Sequence, residues 1–291
     1  MSRAGEVLRV RLARPEVHNA LHAGLIAELT ECITAAGTEA GLRVLVLSGA
    51  GPSFCAGADL NWMRAVAGWT WEENVADATR VAAMFAALDE CPVPTVARVH
   101  GAALGGGAGL LACCDVVVAA EDTVFGFGEA KLGLLPATIA PFVVAKIGQG
   151  HARALFATAA RFDATRAQQI GLVHLVVPAA ALDDAVQSQV AELLSSAPGA
   201  AAAARTLIRR VAGKPAADVA GYTAETIARL RLDAEGQEGM AAFLAKRPPS
   251  WRRPSPPLLS GESPPSSPPP GRGPGAPPPE ASSPSPGGRE A

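Results

Sequence analysis

Residues 101–110 read Gly101-Ala-Ala-Leu-Gly-Gly-Gly-Ala-Gly-Leu110. Five of the ten are glycine, and the apolar run Leu110–Cys113 follows at once. Glycine loses the most backbone freedom on folding and is the poorest helix former after proline. Its concentration where a helix is about to begin calls for a physical reason. Helix N-termini leave N–H groups without partners and carry positive partial charge. Glycines let those groups approach a ligand without Cβ clashes, so the stretch is expected to hold negative charge, as a phosphate or as an oxyanion developing in a reaction. Two other readings stay open on these residues alone. Gly107-x-Gly109-x-x-Ala112 fits the dinucleotide fingerprint G-x-G-x-x-[GA], although the acidic pair Glu121-Asp122 comes only about 13 residues on, where about 20 are expected. Close helix–strand packing with no ligand is the other.

Working outward, the chain alternates between two periodicities. Glu6–Leu12 alternates apolar and charged residues, as a half-buried strand does. Ala20–Ala36 carries Leu21, Leu25, Ile26, Leu29 and Ile33 at helical spacing. Strands are expected at Arg43–Ser48, Pro94–His100, Asp115–Ala120, Val124–Phe127 and Val173–Val177, and a helix at Thr70–Leu88. Strands alternating with helices predict an α/β fold with crossover connections. Helices expected at Ala200–Ala212 and Asp218–Lys246 have no strand partner and read as a helical cap or an oligomer contact.

With 291 residues, 49% apolar, the chain can bury a sizeable core. The formal net charge of -2 gives no general basic field for nucleic acid. Five cysteines without a C-x-x-C pair, and no apolar signal core after Met1, predict a reduced, cytoplasmic protein. No apolar run approaches the ~18 residues of a membrane span. Sixteen of the 25 prolines lie in the last 44 residues, from Pro248 on. That segment is too poor in apolar side chains to offset chain entropy, so a disordered or polyproline II tail is expected. Within it Pro265-Ser-Ser-Pro268 matches the P-x-x-P spacing, a match that this proline density supplies by chance.

A second loop sharpens the glycine question. Ser53-Phe-Cys-Ala-Gly-Ala-Asp-Leu60 precedes His100-Gly-Ala-Ala-Leu-Gly-Gly-Gly107, with Arg14-Pro-Glu-Val-His-Asn-Ala20 before both. Cys114-Asp115 and Phe127-Gly-Glu-Ala-Lys-Leu-Gly-Leu-Leu-Pro136 follow in order. In order and spacing these motifs resemble the crotonase, or enoyl-CoA hydratase/isomerase, superfamily, from about residue 5 to Arg247. The resemblance implies a crotonase-like spiral of ββα units over residues 1–195 and a helical C-terminal region over 196–247, with the Pro-rich tail over 248–291. It implies an acyl-CoA thioester substrate, no cofactor beyond the CoA of that substrate, no metal, and a homotrimer or homohexamer.

Residue by residue, the resemblance places the two oxyanion-hole N–H donors at Ala58 and Gly106. It places CoA contacts along Ala56, Ala58, Asp59, Leu60, Gly106 and Gly109, with Asp59 also suited to capping a helix or bracing its loop. A typical family hydratase holds its water with two glutamates. The first position is Gly109 here, so that acid is absent, and the second is Glu129. Beside Phe125, Phe127 and Leu132, Glu129 is expected to have a raised pKa suited to proton transfer. Ala137 replaces a glycine common near the catalytic water. The expected function is hydration of a short or branched 2-enoyl-CoA. The loop Gly57-Ala-Asp-Leu-Asn-Trp-Met63, with Gly109 and the run Pro136–Pro141, resembles a bacterial branch of hydratases acting on branched carboxylated enoyl-CoAs such as methylglutaconyl-CoA in leucine or acyclic-terpene breakdown. With one glutamate, a Δ3,Δ2-enoyl-CoA isomerase or a non-catalytic acyl-CoA binder are the alternatives. His18 and His22 lack the acid of an H-E-x-x-H zinc site, and Arg209-Arg210 and Lys246-Arg247 are surface pairs that CoA phosphates could meet.

Overall fold

The computed structural model describes residues 1–252. Its strands, numbered in chain order, form two sheets. One runs β1 (Ser2–Ala4), β2 (Val7–Leu12), β3 (Val44–Gly49), β4 (Thr95–Val99), β6 (Val116–Ala120) and β9 (Leu175–Val177). The other runs β5 (Ala102–Leu104), β7 (Val124–Gly126) and β8 (Arg161–Phe162). Pairing is antiparallel only for β1–β2 and β7–β8. The remaining pairs are parallel.

Parallel neighbours need long crossovers, and helices supply them. α1 (Ala23–Thr38) joins β2 to β3, and α2 (Leu60–Val66) with α3 (Trp71–Glu90) joins β3 to β4. From β4 the chain steps across to β5 in the second sheet, then through α4 (Gly106–Cys113) back to β6, and across again to β7. This strand–strand–helix repeat is the spiral that the sequence led us to expect. α5 (Ala140–Thr158), α6 (Ala164–Gln169) and α7 (Leu182–Ser195) complete it.

β3 shows why its sequence reads as a continuous apolar run. Leu45 and Leu47 enter the main core with α1, α3 and α4, while Val44 and Val46 pack on the other face with Leu182, Val186 and Val190 of α7. A parallel strand covered on both faces needs apolar residues at every position.

Helix starts differ from expectation by local hydrogen bonding. α1 begins at Ala23 because the His22 side chain accepts from Gly24 N–H and caps it. α2, which has no clear sequence period, exists because Asp59 caps it. The helix expected over 218–246 is two, α9 (Ala216–Leu232) and α10 (Ala234–Leu244), broken where Asp233 takes extended backbone. With α8 (Pro198–Val211) they form the C-terminal helices. Arg205 of α8 ties them to the core. Its guanidinium forks onto both carboxylate oxygens of Asp115, and its Nη1 donates to the carbonyls of Leu88 and Asp89 at 2.8 Å and of Cys91 at 3.1 Å, at the C-terminus of α3.

The boundary expected after Arg247 falls early. Trp251 Nε1–H donates to Ser195 O at 3.2 Å, and Trp251 O accepts from Arg43 Nη1 at 3.3 Å. A Cβ on Gly239 would stand 3.0 Å from the indole, so the ring lies flush on α10. The rest of the Pro-rich segment, with its expected disorder and the Pro265–Pro268 match, lies outside the described residues. No described helix is long and apolar enough to cross a membrane.

Candidate active site

The two glycine-bearing loops lie side by side. Cys55 N–H donates to Ala102 O and Leu104 N–H to Cys55 O, both at 3.0 Å, which is one rung of a parallel ladder. The turn at 14–21 braces the first loop from the other side. Asn19, at φ 57°, sends its side-chain amide to the carbonyls of Ala50 and Ser53 at 2.8 and 2.7 Å. Arg14 donates to Asp59 Oδ2 at 2.8 Å and to Ala20 O at 2.7 Å. The Arg14-to-Ala20 motif is therefore a clamp on the loop that carries Ala58.

That clamp orients Ala58. Leu21 N–H donates to Gly57 O at 2.7 Å, and Asp59 N–H donates to Leu21 O at 2.9 Å. In a parallel ladder the residue between two such bonds turns its own amide to the opposite side. Ala58 N–H thus points away from Leu21. The other expected donor, Gly106, follows a backbone that only glycine tolerates. Gly105 caps α4 at φ 48°, ψ -118°, spends its N–H on Gly126 O at 2.8 Å, and accepts from Gly109 N–H at 3.0 Å. Gly106 is the first residue of α4, where N–H groups lack intrahelical partners. Among the described residues neither Ala58 N–H nor Gly106 N–H has a hydrogen-bond acceptor.

Gly107 and Gly109 serve differently. A Cβ on Gly107 would stand 2.4 Å from Cys55 O, and one on Gly109 would stand 2.4 Å from Ile139 Cγ2. Both are buried in packed protein, so the dinucleotide reading fails: its glycines have no open face for a pyrophosphate. The packing reading accounts for these two, and Gly105 and Gly106 open on the cavity.

That cavity has a volume of about 730 Å³, within the ~300–1,000 Å³ of ligand pockets. It is walled by Ala56, Ala58, Leu60 and Gly106, by the α3 face Asn74, Asp77, Ala78, Val81 and Phe85, and by Glu129, Lys131, Leu132, Leu134, Leu135 and Pro136. Glu129 opens a short 3-10 turn, Glu129–Leu132, after β7. Its Oε1 lies 3.0 Å from where a Cβ on Gly105 would be, beside the start of α4. Its Oε2 is buried without a hydrogen-bond partner. Burial pushes the Glu129 pKa above the ordinary 4.5. Phe125 and Phe127 are fully buried, as expected, but Leu132 is 62% exposed and forms the rim.

Five of the seven residues expected from the sequence, Ala56, Ala58, Leu60, Gly106 and Glu129, line this cavity. Asp59 and Gly109 do not. Asp59 turns inward, with Oδ2 on Arg14 and Oδ1 accepting from Asn61 N–H at 2.8 Å, and the Arg14 guanidinium holds its pKa below the ordinary value. Gly109 faces Ile139 and Phe85. Sequence reasoning missed the α3 wall, whose members 74, 77, 78, 81 and 85 stand at helical spacing and could have been read as one face. It also missed Arg161, which no local pattern marks.

Other candidates have partners elsewhere. His18 Nδ1 is 3.0 Å from Ser53 Oγ, and His22 caps α1. Arg209 pairs with Asp89 and Glu90, Arg210 lies over the Tyr222 ring, and Arg247 pairs with Glu238. None of these lines the cavity.

Comparison with known proteins agrees with this geometry. The family model described as enoyl-CoA hydratase/isomerase matches residues 2–254. The chain is 33% identical to a 2,3-dehydroadipyl-CoA hydratase of Escherichia coli, over 87% of this chain and 97% of the relative. An enoyl-CoA hydratase structure from Shewanella pealeana superposes with a TM-score of 0.83 at 39% identity, covering 86% of this chain and 94% of that one. Pseudomonas aeruginosa AtuE gives 0.83 at 37% identity, covering 87% and 98%.

Proposed function

Since the chain belongs to the enoyl-CoA hydratase/isomerase family, we propose that it hydrates the C2–C3 double bond of a short or branched 2-enoyl-CoA, with Glu129 as its single acid and base. The observation that carries this is the Glu129 carboxylate, half-buried beside Gly105 with one oxygen unpartnered, next to the helix start that offers Gly106 N–H. The thioester oxygen accepts from Ala58 N–H and Gly106 N–H. Water held by Glu129 bonds to C3 while its proton passes to the carboxylate. The π pair of C2=C3 moves into the enolate, whose negative oxygen the two amides stabilise. Glu129 then returns the proton to C2. One oxyanion donor is typically worth about 3 kcal/mol in the transition state. A raised pKa brings Glu129 nearer the point where it gives and takes a proton with equal ease.

A specific observation favours isomerisation as the second reading. The wall at position 109 is apolar, filled by Ile139 and Phe85, and a proton shuttle between C2 and C4 needs no water and one carboxylate. Incubation with crotonyl-CoA, a 3-enoyl-CoA and methylglutaconyl-CoA, followed by product identification, tests both. A 3-hydroxyacyl-CoA from crotonyl-CoA supports hydration, conversion of the 3-enoyl ester alone supports isomerisation, and no product from any of the three refutes both. The same reading treats residues 1–195 as the spiral core and 196–247 as a helical region serving a homotrimer or homohexamer, and takes CoA along Ala56–Leu60 with no further cofactor. A cytoplasmic location and a role in leucine breakdown belong to it as well.

A further inference from the structure

Two cations line the cavity without a task in the proposed reaction. Arg161 lies on β8, and Lys131 lies in the turn that Glu129 opens. Most of the arginines described above are spoken for: Arg14 by Asp59, Arg205 by Asp115, Arg209 by Asp89 and Glu90. Asp77, the other carboxylate of the wall, is paired with Arg80. Among the described residues the side chains of Arg161 and Lys131 have neither an ion pair nor a hydrogen bond.

The second sheet turns Arg161 to the cavity face. Leu104 of β5, Gly126 of β7 and Arg161 of β8 stand in one row across it. Side chains in such a row share one face. The neighbouring row, Ala103, Phe125 and Phe162, turns the other way, with Phe125 stacked on Phe162 at 5.8 Å in the core. Leu104, Gly126 and Arg161 accordingly all line the cavity. Gly126 has no side chain, and a Cβ there would stand 3.5 Å from Arg161 Cγ, so the arginine stem lies across Gly126. Beyond Gly126 the row ends at Leu104 of β5, and the next residue of the chain, Gly105, lies beside the Glu129 carboxylate. Two strand spacings, about 10 Å, separate the Arg161 and Leu104 backbones, and the arginine spans much of that.

We propose that Arg161, with Lys131 adding positive charge at the rim, forms an anion subsite for a free carboxylate carried on the acyl chain of the substrate. The substrate class is thus the monothioester of a dicarboxylic acid. The inference rests on the enoyl-CoA reading of the cavity. A guanidinium with no protein partner discriminates by charge: a carboxylated chain satisfies it, while an uncharged chain of equal length leaves it to water. Across the sheet the order is the Cys55 loop, β5, β7 and β8, so the Arg161 backbone stands three strands away from the loop proposed to take CoA, which favours an acyl carboxylate over a CoA phosphate as the anion.

The test is calorimetric binding of saturated esters to the full chain, so that turnover is not needed. Glutaryl-CoA and adipyl-CoA are compared with pentanoyl-CoA and hexanoyl-CoA, for the wild type, Arg161→Met and Arg161→Lys. The expected result is a loss of roughly 10- to 100-fold in affinity for the carboxylated esters in Arg161→Met, the range of a charge-assisted hydrogen bond. The uncharged esters change less than about twofold, and Arg161→Lys recovers part of the loss. The same pattern must persist with the pantetheine thioesters, which lack the CoA 3′-phosphate and diphosphate. Equal weakening of charged and uncharged CoA esters that vanishes with pantetheine assigns Arg161 to a CoA phosphate and overturns the proposal. So does an unchanged affinity for the carboxylated esters, or their failure to bind the wild type. A wild type that binds adipyl-CoA through Arg161 yet converts no enoyl ester refutes the hydration and isomerisation readings and leaves the subsite standing.

Discussion

Replacing Gly109 by alanine tests the apolar wall that stands where a second catalytic acid would be. The added Cβ would lie 2.4 Å from Ile139 Cγ2, 2.9 Å from Ile139 Cβ and 3.1 Å from Phe85 Cε1. Ordinary carbon contacts are ~3.5–4.0 Å, so the nearest pair must open by about 1 Å. Ile139 is 2% exposed and Phe85 fully buried, so neither can swing into solvent. Overpacking of this kind costs about 1–3 kcal/mol, and three close contacts place it in the upper half. The better helix propensity of alanine returns up to about 1 kcal/mol. The net loss is about 1–2 kcal/mol, a fall in Tm of roughly 2–8 °C for a folded chain of this size. Ile139→Ala alone should cost about 2–5 kcal/mol through the cavity it leaves. In the double variant the Cγ2 clash is gone and part of the void is filled, so it should lose about 1–3 kcal/mol less than the sum of the two. The assay is thermal unfolding of the four proteins at one concentration, with kcat/KM for crotonyl-CoA alongside. Losses that add to within about 0.5 kcal/mol would show that positions 109 and 139 do not touch. Gly109→Glu in the same background should lose more stability than Gly109→Ala and gain no rate. A stable, faster Gly109→Glu enzyme would refute the argument that the wall excludes a second acid.

Three further variants have expected outcomes. Glu129→Gln should bind acyl-CoA and lose at least about 100-fold in turnover, and near-wild-type rates would exclude Glu129 as the acid and base. Because burial raises the Glu129 pKa in the folded state, its stability contribution is present below the ordinary value and lost as pH rises through the folded one. Glu129→Gln should therefore be at least as stable as wild type at pH 8 and lose that advantage at acid pH, which melting across pH checks. Gly106→Pro removes the α4 donor and presses on Leu21 Cδ1, 2.7 Å from the new Cβ. It should abolish turnover in protein whose circular dichroism stays native, and surviving activity would mean that Gly106 is not the donor. Trp251→Ala should lower Tm because it loses on the order of 1–3 kcal/mol of ring burial, and an unchanged Tm would show that residues 248–252 add nothing to the folded body.

Much of the site was written locally. The spacing of Arg14–Ala20, Ser53–Leu60, His100–Gly107 and Phe127–Pro136 carries backbone requirements: left-handed turns, caps and a helix start. Such requirements are met within a few residues, so a linear pattern records them. The Asp59 cap is an instance, since an Asp before a helix needs only its own next two or three amides. The alternation of apolar stretches likewise determined the parallel sheet, because a strand covered on both faces must be apolar throughout.

What lay beyond the sequence depends on which distant residues meet. Gly109 and Ile139 are thirty positions apart, and only packing reveals that one fills the space of the other. Trp251 looks like part of a Pro-rich tail until Ser195 and Arg43 accept and hold it. Arg161 is an unremarkable surface cation in the linear chain, and a three-strand row brings it over Gly126 into the cavity. The sequence by itself determined the family, the spiral of ββα units and the two loops that carry the proposed donors, because these rest on short-range rules. The tertiary structure alone decided which glycines face the cavity and which face protein, that Trp251 packs on the folded body, and which cations line the cavity. Those depend on long-range contacts, which no local period encodes.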